Sequence, residues 1–454
     1  MSKFPVLSPE LIRRLDVPGP RYTSYPTVPA WSDEFGQCDH VRALEAASHV
    51  QDSPLSIYVH IPFCRERCTF CGCNVIVAKD PRKADRYLDF LTKELGLVAK
   101  SLGARRGVSR LHLGGGTPTF LDENQLTRLW RSLTAEFTML PDAEIAVEID
   151  PVVTRDEQLE LLRSFGFNRL SLGVQDLDPE VQKAVDRFQS VEETRGRIDL
   201  ARRLGFRSVN MDLIYGLPRQ VQDGWRRTIA QVVELRPERI SMFSFAYVPK
   251  AKPHQRQLPL ADLPTGPTKL ELFRTAHDML MDAGYLAIGM DHFAVPEDEL
   301  SLAVTESRLW RDFQGYTIVR ASDTVALGVT GISCVGGAYA QGVKTLPRYE
   351  AAISEGKLPT ARGHWLSPDD HRRKTVITQL MCNGKVDLGA DGESTFAKEL
   401  AALSRLEADG LVEIHGSLIR ATPIGRVFVR NIAMVFDAYL ERQAEGATTF
   451  SRTV

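Results

Sequence analysis

Four cysteines lie within ten consecutive residues, at Cys64, Cys68, Cys71 and Cys73. The first three form a C-x3-C-x2-C pattern, which places three thiolates on one short loop. Three thiolates are enough to hold a four-iron, four-sulfur cluster while one iron keeps no protein ligand. The spacing therefore predicts such a cluster, with an open iron at which chemistry can take place.

A structural zinc site and disulfide bonds are the alternatives for these cysteines. A zinc site of this kind combines one close pair with a second C-x2-C or histidine pair further along the chain. The remaining cysteines stand alone, at Cys38, Cys334 and Cys382, which disfavours zinc. The number of cysteines is odd and the sequence begins without an apolar signal stretch. We therefore expect reduced thiols and a cytoplasmic location.

Length and charge limit the other function classes. At 454 residues the chain is long for one domain, and two or three domains are expected. The 56 basic and 58 acidic residues give a net charge of -2, so no overall field would attract nucleic acid or an anionic membrane. No apolar run is long enough to span a bilayer, and membrane insertion is not expected.

Short runs rich in β-branched and aromatic residues recur through the middle of the chain, and each is followed by a helix-like stretch. This alternation is typical of βαβ units that build a parallel sheet. The predicted strands are 56–60, 109–113, 144–149, 168–174, 208–214 and 239–247. Six such units predict an α/β fold in the form of a partial (β/α)6 barrel. Ligands lie at the carboxyl ends of the strands in such folds, and the cysteine loop follows the first strand.

Two of the connecting helices have clear signals. The helix after the first strand has an apolar face at helical spacing, formed by Tyr87, Leu88, Leu91, Leu95 and Val98. The next helix is expected to begin at Asp122, with Gln125 completing a capping box. Both helices are long enough to cover one side of a parallel sheet.

From about residue 366 onward the pattern changes to helices with one short strand pair. Residues 400–406, 409–414 and 417–420 are predicted as helix, strand and strand, the order found in winged-helix modules. Such modules often bind DNA, but the balanced charge favours a role in covering substrate or in packing. The predicted domains are an N-terminal segment covering the site (1–55), the barrel with its extension (56–365) and a mostly helical, winged-helix-like domain (366–454).

Glycine and polar residues fall at the ends of the predicted strands. Gly114, Gly115, Gly116 and Thr117 follow the second strand, where glycines let the backbone approach a ligand, although a tight turn would explain them equally well. Glu148 ends the third strand, where a carboxylate loses hydration unless it meets a cation or hydroxyl. Similar positions are occupied by Asp150, Gln175, Asp176, Arg187 and Asp212. Each of these residues, taken alone, is more often structural.

Taken together, these motifs resemble the radical S-adenosylmethionine enzymes, whose signature is the C-x3-C-x2-C triplet. The more specific resemblance is to the family of oxygen-independent coproporphyrinogen III oxidases (dehydrogenases) of haem biosynthesis, and it covers nearly the whole chain. The residues that carry it are Pro-Gly-Pro-Arg-Tyr-Thr-Ser-Tyr-Pro-Thr at 18–27, Tyr-Val-His-Ile-Pro-Phe-Cys at 58–64, Gly-Gly-Gly-Thr-Pro-Thr at 114–119, Gly-Val-Gln-Asp at 173–176, Asp-Leu-Ile-Tyr-Gly-Leu-Pro at 212–218, Gly-Met-Asp-His-Phe at 289–293, Phe-Gln-Gly-Tyr-Thr at 313–317 and Arg-Asn-Ile-Ala-Met at 430–434.

The resemblance implies a set of site residues. Cys64, Cys68 and Cys71 would ligate the cluster, and S-adenosylmethionine would chelate the fourth iron. Contacts to this first cofactor molecule are implied for Tyr58, Gly115, Glu148 and Ile332. A second S-adenosylmethionine, which family members can hold, would be lined by Phe70, Gly116, Thr117, Gln175, Arg187, Asp212 and Ala246. Catalytic roles are expected for Tyr58, His60 and Cys73, although Cys73 would not be a ligand and His60 has the alternative of a core histidine.

The activity implied by the resemblance is an oxidative decarboxylation. One-electron reduction of the cluster would cleave S-adenosylmethionine to methionine and a 5'-deoxyadenosyl radical. The radical would take a hydrogen atom from the β-carbon of a propionate, and loss of CO2 and one electron would leave a vinyl group. Two such reactions on coproporphyrinogen III would give protoporphyrinogen IX.

The carboxylates of this substrate need cationic partners. Arg21 is the first candidate and Arg311 the second, with a surface role as the alternative for both. Asp312 stands where many relatives have asparagine and sets a carboxylate beside Arg311, which weakens that arginine as a candidate. The other implied partner is a low-potential electron donor such as a flavodoxin or ferredoxin, and the protein is expected to be a monomer.

Two other classes of protein share the barrel. One is a haem-binding chaperone, but such relatives lack the C-x-C ending at Cys73 and the N-terminal motif at 18–27, both of which are present here. The other is a haem-opening radical methyltransferase, which only substrate assays would exclude. The sequence thus favours the oxidase.

Overall fold

A computed structural model of the chain describes residues 3–50, 52–319, 321–440 and 450–453. The α-helices, in chain order, are α1 Pro9–Leu15, α2 Gln37–Ser48, α3 Arg82–Leu102, α4 Glu123–Glu136, α5 Asp156–Ser164, α6 Pro179–Val185, α7 Val191–Leu204, α8 Gln222–Leu235, α9 Gly266–Asp282, α10 Glu299–Thr305, α11 Leu346–Ser354, α12 Pro368–Asn383, α13 Gly392–Thr395, α14 Ala397–Ala408, α15 Pro423–Val427 and α16 Val429–Met434.

The strands, in chain order, are β1 Leu55–Ile61, β2 Phe63–Cys64, β3 Ile76–Val77, β4 Gly107–Gly115, β5 Thr138–Ile149, β6 Arg169–Gln175, β7 Ser208–Tyr215, β8 Arg239–Ser244, β9 Leu286–Gly289, β10 His292–Ala294, β11 Trp310–Asp312, β12 Gly315–Thr317, β13 Asp323–Leu327, β14 Ile332–Val335, β15 Ala338–Gly342, β16 Thr360–Trp365, β17 Lys385–Asp387, β18 Val412–His415 and β19 Leu418–Ala421. Short 3-10 helices occur at Val28–Ala30, Pro118–Phe120, Pro253–Gln257 and Leu260–Asp262.

The chain forms two compact units that are not contiguous in sequence. The barrel unit comprises Ser32–Pro264 and Ala321–Trp365, and the second unit comprises Met1–Trp31, Thr265–Arg320 and Leu366–Val454. The predicted domains share the boundary after residue 365 but are contiguous segments. Residues 265–320 group with the two ends of the chain instead of with the barrel. The sequence did not predict this grouping, because it depends on long-range packing that local periodicity does not encode.

The barrel unit contains six parallel strands that lie side by side in chain order, namely β1 and β4 to β8. Helices α3 to α8 connect them, which confirms the predicted partial (β/α)6 barrel. On the other side of β1, β13 adds a further parallel strand, and β14 to β16 continue the sheet antiparallel.

The predicted strands agree with the observed ones to within two residues, except at two ends. β5 starts at Thr138 and not at 144, and β8 ends at Ser244 and not at 247. Along β6 and most of β7, fully buried residues alternate with half-buried ones. Since successive side chains of a strand point to opposite faces, the half-buried residues share the interior face of the barrel. That face carries the polar residues described below.

The two helices with clear signals form as predicted. The five apolar residues of α3 are almost completely buried, at 1% exposed or less. At the start of α4, the Gln125 backbone N–H donates to Asp122 Oδ1 over 2.9 Å, and the Asp122 backbone N–H donates to Gln125 Oε1 over 3.1 Å. These reciprocal bonds satisfy N–H groups that have no partner within the helix.

The second unit contains the predicted α14, β18, turn and β19, in that order. Strand β17 joins them to form a three-stranded sheet in the order β17-β19-β18. Residues near both ends of the chain meet within this unit: Arg430 Nε donates to the Pro20 carbonyl over 3.0 Å, and Asn431 Nδ2 donates to the Leu15 carbonyl over 2.8 Å. Among the described helices, none combines the length and apolar character needed to cross a membrane.

Candidate active site

The cysteine loop connects β2 to β3, immediately after the carboxyl end of β1. Cys64, Cys68 and Cys71 are half-buried, and all three are free thiols. In the described part of the chain, no three histidine, cysteine or carboxylate side chains converge as a single metal ion would require. A four-iron cluster presents its irons at separate corners, so its ligands need not converge on one point.

Burial and polar neighbours have opposite effects on the pKa values of these thiols. Burial raises the pKa of Cys64 to about 11 and also raises that of Cys68. The Arg187 guanidinium lies 3.5 Å from Cys68 Sγ, and the Thr117 hydroxyl lies 3.4 Å from Cys64 Sγ. Both groups favour the deprotonated sulfur that binds iron. The donor set therefore fits an iron-sulfur cluster held by three cysteines.

The backbone of the cysteine loop is fastened by side chains that follow β8. Lys252 Nζ donates to the Cys73 carbonyl over 2.9 Å, and His254 Nε2 lies 2.8 Å from the Cys71 carbonyl. Gln255 is 1% exposed, and its Nε2 donates to the carbonyls of Phe70 and Ala246 over 3.0 and 3.3 Å. Sequence reasoning missed these residues because they contact a part of the chain about 180 residues earlier in sequence.

The glycines at the end of β4 and directly after it are required by protein neighbours. A Cβ atom on Gly114 would lie 2.6 Å from a Glu148 oxygen, and one on Gly116 would lie 2.6 Å from the Phe63 carbonyl oxygen. Gly115 has a φ of +118° and faces the His60 ring. Its N–H donates to Glu148 Oε2 over 3.1 Å. Close packing thus accounts for all three glycines and brings Gly115 to Glu148.

A chain of hydrogen bonds joins several predicted site residues inside the barrel. The Tyr58 hydroxyl lies 3.0 Å from His60 Nδ1, and His60 Nε2 lies 3.2 Å from the Asn74 carbonyl. Since a carbonyl only accepts, Nε2 carries the proton and Nδ1 accepts from Tyr58. Burial lowers the pKa of His60 and raises that of Tyr58, so both side chains are neutral.

His112 links this pair to Glu148. Its ring stacks on Tyr58 with centroids 5.9 Å apart, and its Nε2 lies 2.9 Å from Glu148 Oε1. Sequence reasoning did not select His112. His112 stands between Leu111 and Leu113 in a predicted strand, so its side chain points to the face opposite those leucines. This alternation is the signal from which His112 could have been selected.

Glu148 and Asp212 have opposite pKa shifts. Loss of hydration raises the pKa of Glu148, but the hydrogen bonds from His112 and the Gly115 N–H outweigh it, so the pKa lies below its ordinary value. Burial raises the pKa of Asp212 to about 6, and the nearby Glu148 contributes to the rise. Asp212 accepts hydrogen bonds from Ser171 over 3.0 Å and from Asn210 over 2.8 Å.

Arg187 connects the cysteine loop to the ends of β5 and β6. Its guanidinium donates to Asp150 Oδ2 over 3.0 Å and to the Gly173 carbonyl, while its buried Nε has no hydrogen-bond partner. Gln175 has a φ of +69°, and its side-chain amide lies against Gly173. Arg187 therefore connects Cys68 to Gly173, and Gln175 also lies against Gly173.

The remaining predicted residues are more widely placed. Cys73 is a free and exposed thiol in the same loop, two residues after Cys71. Ile332 begins β14, which β13 separates from β1 in the sheet. The candidate substrate residues Arg21 and Arg311 belong to the second unit.

The two arginines have different surroundings. Arg21 forms an ion pair with the buried Asp291, with Nη2 and Oδ2 2.5 Å apart. Arg311 is 7% exposed, lies over the Tyr316 ring at 4.8 Å, and has an Nε without a hydrogen-bond partner. Asp312 Oδ1 accepts the Gln314 N–H over 2.9 Å.

Comparisons with known proteins agree with this arrangement. Residues 58–232 match the model of the radical SAM superfamily, and residues 366–428 match that of the HemN C-terminal domain. An oxygen-independent coproporphyrinogen III oxidase of Pseudomonas aeruginosa is 43% identical, and the alignment covers 95% of each chain. The chain belongs to the oxygen-independent coproporphyrinogen III oxidase family.

Other members of the oxygen-independent coproporphyrinogen III oxidase family support the same assignment. The relative from Synechocystis is 41% identical over the full length of both chains. A solved structure of the Escherichia coli coproporphyrinogen III oxidase, described as a radical SAM enzyme, superposes with a TM-score of 0.89 at 43% identity, covering 92% of this chain and 97% of that one. The chain is therefore a radical SAM oxidoreductase, a class that uses a [4Fe-4S] cluster and S-adenosylmethionine.

Proposed function

We propose that this chain carries out the oxygen-independent oxidation of coproporphyrinogen III in haem biosynthesis. Two propionate side chains would lose CO2 and become vinyl groups, which gives protoporphyrinogen IX. The observation that carries this proposal is the full-length similarity to oxidases of that name, together with a three-cysteine loop at the carboxyl end of the barrel. When bound, the cluster and S-adenosylmethionine supply the one-electron chemistry that removes a hydrogen atom from each propionate.

The cysteine loop and Glu148 would hold these cofactors. Cys64, Cys68 and Cys71 would ligate the cluster, and the Arg187 cation would offset part of the negative charge beside Cys68. Glu148 has a lowered pKa and remains a carboxylate at neutral pH, so it offers a negative charge to a cationic cofactor. Tyr58, Gly115 and Ile332 are the other proposed contacts to this first S-adenosylmethionine.

A second S-adenosylmethionine is proposed beside the first. Its contacts would be Phe70, Gly116, Thr117, Gln175, Arg187, Asp212 and Ala246. Gln255 supports this grouping because one side-chain amide binds the carbonyls of both Phe70 and Ala246. The buried Arg187 Nε, which has no partner, is a donor that a ligand in this place would satisfy.

Tyr58, His60 and Cys73 are the proposed catalytic and positioning residues. Both ring nitrogens of His60 are engaged in hydrogen bonds within the protein, which favours a positioning role. His60 orients the Tyr58 hydroxyl and holds the Asn74 carbonyl next to the cysteine loop. Cys73 is exposed beside Cys71 and is accessible to a substrate.

Arg311 is a better candidate than Arg21 for binding a substrate carboxylate. The charge of Arg21 is already balanced by Asp291, whose pKa is lowered by Arg21 and His292 in spite of burial. Arg311 is buried and has an unsatisfied Nε donor. A buried cation of this kind is stabilised when a carboxylate binds to it.

We also propose the expected setting of the reaction. The electron donor would be a low-potential carrier such as a flavodoxin or ferredoxin, and the enzyme would act as a cytoplasmic monomer. Full-length similarity to named oxidases favours this function over the haem-binding chaperone and the haem-opening methyltransferase.

An anaerobic assay tests the proposed function. Reconstituted protein would be incubated with a reductant, S-adenosylmethionine and coproporphyrinogen III, and the products followed by mass spectrometry, with Cys68→Ala as the control. We expect protoporphyrinogen IX and 5'-deoxyadenosine, both lost in the variant. Cofactor cleavage without release of CO2 would contradict this substrate, and tight haem binding without turnover would favour the chaperone.

A further inference from the structure

The cysteine loop and the segment that fastens it are rich in basic residues, although the whole chain is nearly neutral. Residues 65–79 and 250–256 carry six lysines and arginines against one acidic residue, Glu66. We call these six residues the basic rim: Arg65, Arg67, Lys79, Lys250, Lys252 and Arg256. All but the half-buried Lys252 are exposed. A local excess of one charge attracts partners of the opposite sign.

The basic rim touches the cysteine loop directly. Lys252 Nζ donates to the Cys73 carbonyl over 2.9 Å, and Arg67 Nη2 donates to the Val75 carbonyl over 2.7 Å. Arg65 and Arg67 lie between the first two cysteines of the triplet. A protein that binds the rim therefore contacts the loop that holds the iron ligands.

A groove of about 560 Å³ is lined by residues of this loop and of the segment that follows β8. Val75, Ile76 and Val77 provide an apolar lining, and Arg67 and His254 also line the groove. Val77 is 41% exposed. A small apolar area framed by basic groups is typical of short-lived complexes, in which charge guides the encounter and a modest contact area allows rapid release.

We propose that the groove and the basic rim dock an acidic one-electron carrier protein that reduces the cluster. This inference rests on the proposed function, since it needs a cluster in the loop. In the transfer the reduced carrier loses one electron, and the cluster gains it and changes from the 2+ to the 1+ state. No bond is made or broken, and no proton is required.

Charge reversal of the basic rim tests this proposal. The variant Arg65→Glu/Lys79→Glu/Arg256→Glu changes three exposed side chains. The probe is a purified acidic flavodoxin in its reduced form, with cluster bleaching giving the rate of reduction and calorimetry giving the dissociation constant. At low salt we expect the rate to fall at least about tenfold and binding to weaken, with the difference shrinking at high salt.

A matched control separates the rim from net charge. Lys100→Glu/Arg131→Glu/Arg203→Glu makes the same change of charge on exposed residues of α3, α4 and α7, and we expect it to alter the rate less than about twofold. Equal losses in both variants would contradict a docking site, as would an unchanged rate in both. Iron content and reduction by dithionite are expected to stay at wild-type levels in each variant.

A substitution that should increase the rate of reduction shows that a slower rate in the charge-reversal variant is not caused by misfolding. Glu66→Lys removes the acidic residue between Arg65 and Arg67, and we expect faster reduction by the flavodoxin, by about twofold or more. A slower or unchanged rate would contradict the proposal. If the wild type accepts electrons from the flavodoxin but forms no protoporphyrinogen IX, the proposed function fails while the docking surface stands.

Discussion

Two layers of polar side chains inside the barrel differ in how their charges are balanced. Towards the amino ends of the strands, Glu144 lies between Arg110 and Arg169, with ion pairs of 3.2 and 2.8 Å. Towards the carboxyl ends, Glu148 and Asp212 accept hydrogen bonds from histidine, serine, asparagine and a backbone N–H. Among the described residues, neither of these two forms an ion pair with lysine or arginine.

The pKa values express the same difference. Burial raises the pKa of Glu144, but the two arginines outweigh it and bring the pKa to about 2. Burial raises the pKa of Asp212 to about 6 without such compensation. The layer at the amino ends is complete without a ligand, whereas the layer at the carboxyl ends holds negative charge that suits a cationic ligand. The layer at the amino ends therefore contributes to stability, and the layer at the carboxyl ends of the same sheet is suited to binding a ligand.

The largest expected effect is on stability at the amino-end layer. Glu144→Gln removes the carboxylate that pairs with Arg110 and Arg169. Arg110 and Glu144 are both less than one tenth exposed, so water cannot replace this carboxylate. We expect the free energy of unfolding to fall by about 3–5 kcal/mol. Urea denaturation followed by circular dichroism measures this.

An exposed ion pair provides the control for that experiment. Arg155 and Glu123 are 49% and 38% exposed, and Glu123→Gln breaks their contact. We expect a loss of less than about 1 kcal/mol, because solvent already screens the pair. Similar losses for Glu144→Gln and Glu123→Gln would show that the amino-end layer is not the stabilising one.

The next expected effect is on cofactor affinity at the carboxyl-end layer. Glu148→Gln removes the negative charge but keeps an oxygen that can accept the Gly115 N–H. We expect binding of S-adenosylmethionine to weaken about 10- to 100-fold, which corresponds to the loss of one charged hydrogen bond. The free energy of unfolding should change by less than about 1 kcal/mol. Calorimetric titration of the reconstituted protein measures the affinity. Unchanged affinity would remove Glu148 from the proposed cofactor contacts.

A further expected effect is a change in pH dependence at Asp212. Its folded-state pKa of about 6 exceeds the unfolded value of about 3.9, so the folded protein binds the proton more tightly. The wild type therefore loses stability from this group as pH rises from about 4 to about 6. Asn does not titrate, so the Asp212→Asn variant does not lose this stability. Its free energy of unfolding relative to that of the wild type should rise from about pH 4 to about pH 6 and stay constant at higher pH. Urea midpoints between pH 4 and 8 measure the difference, and a difference independent of pH would contradict the assignment.

The barrel could be predicted from sequence because its signals are local. Each inner strand is a short β-branched run, and the helices carry their own apolar faces and caps, as α4 does with Asp122 and Gln125. The cysteine loop could be placed because it follows a strand. The grouping of residues 265–320 with the ends of the chain has no local signal, and the predicted domains did not contain it.

The site was predicted less completely than the fold. Glu148 lies near the end of β5 and Asp212 lies within β7, and a polar residue is conspicuous among the apolar residues of a buried strand. Arg21 and Asp291 are 270 residues apart in sequence, so nothing in the sequence reveals that this charge is already paired. The segment Lys252 to Gln255 was missed for the same reason, since its role depends on contacts about 180 residues away.

The fastening of the cysteine loop has a consequence for how the cluster is inserted. The carbonyls of Phe70, Cys71 and Cys73 are held by protein side chains, and these hydrogen bonds do not involve iron. A zinc finger, in contrast, obtains its folding energy from the metal and unfolds without it. We therefore expect the loop to keep its fold when the cluster is removed, so that the same chain can be reloaded with iron and sulfide.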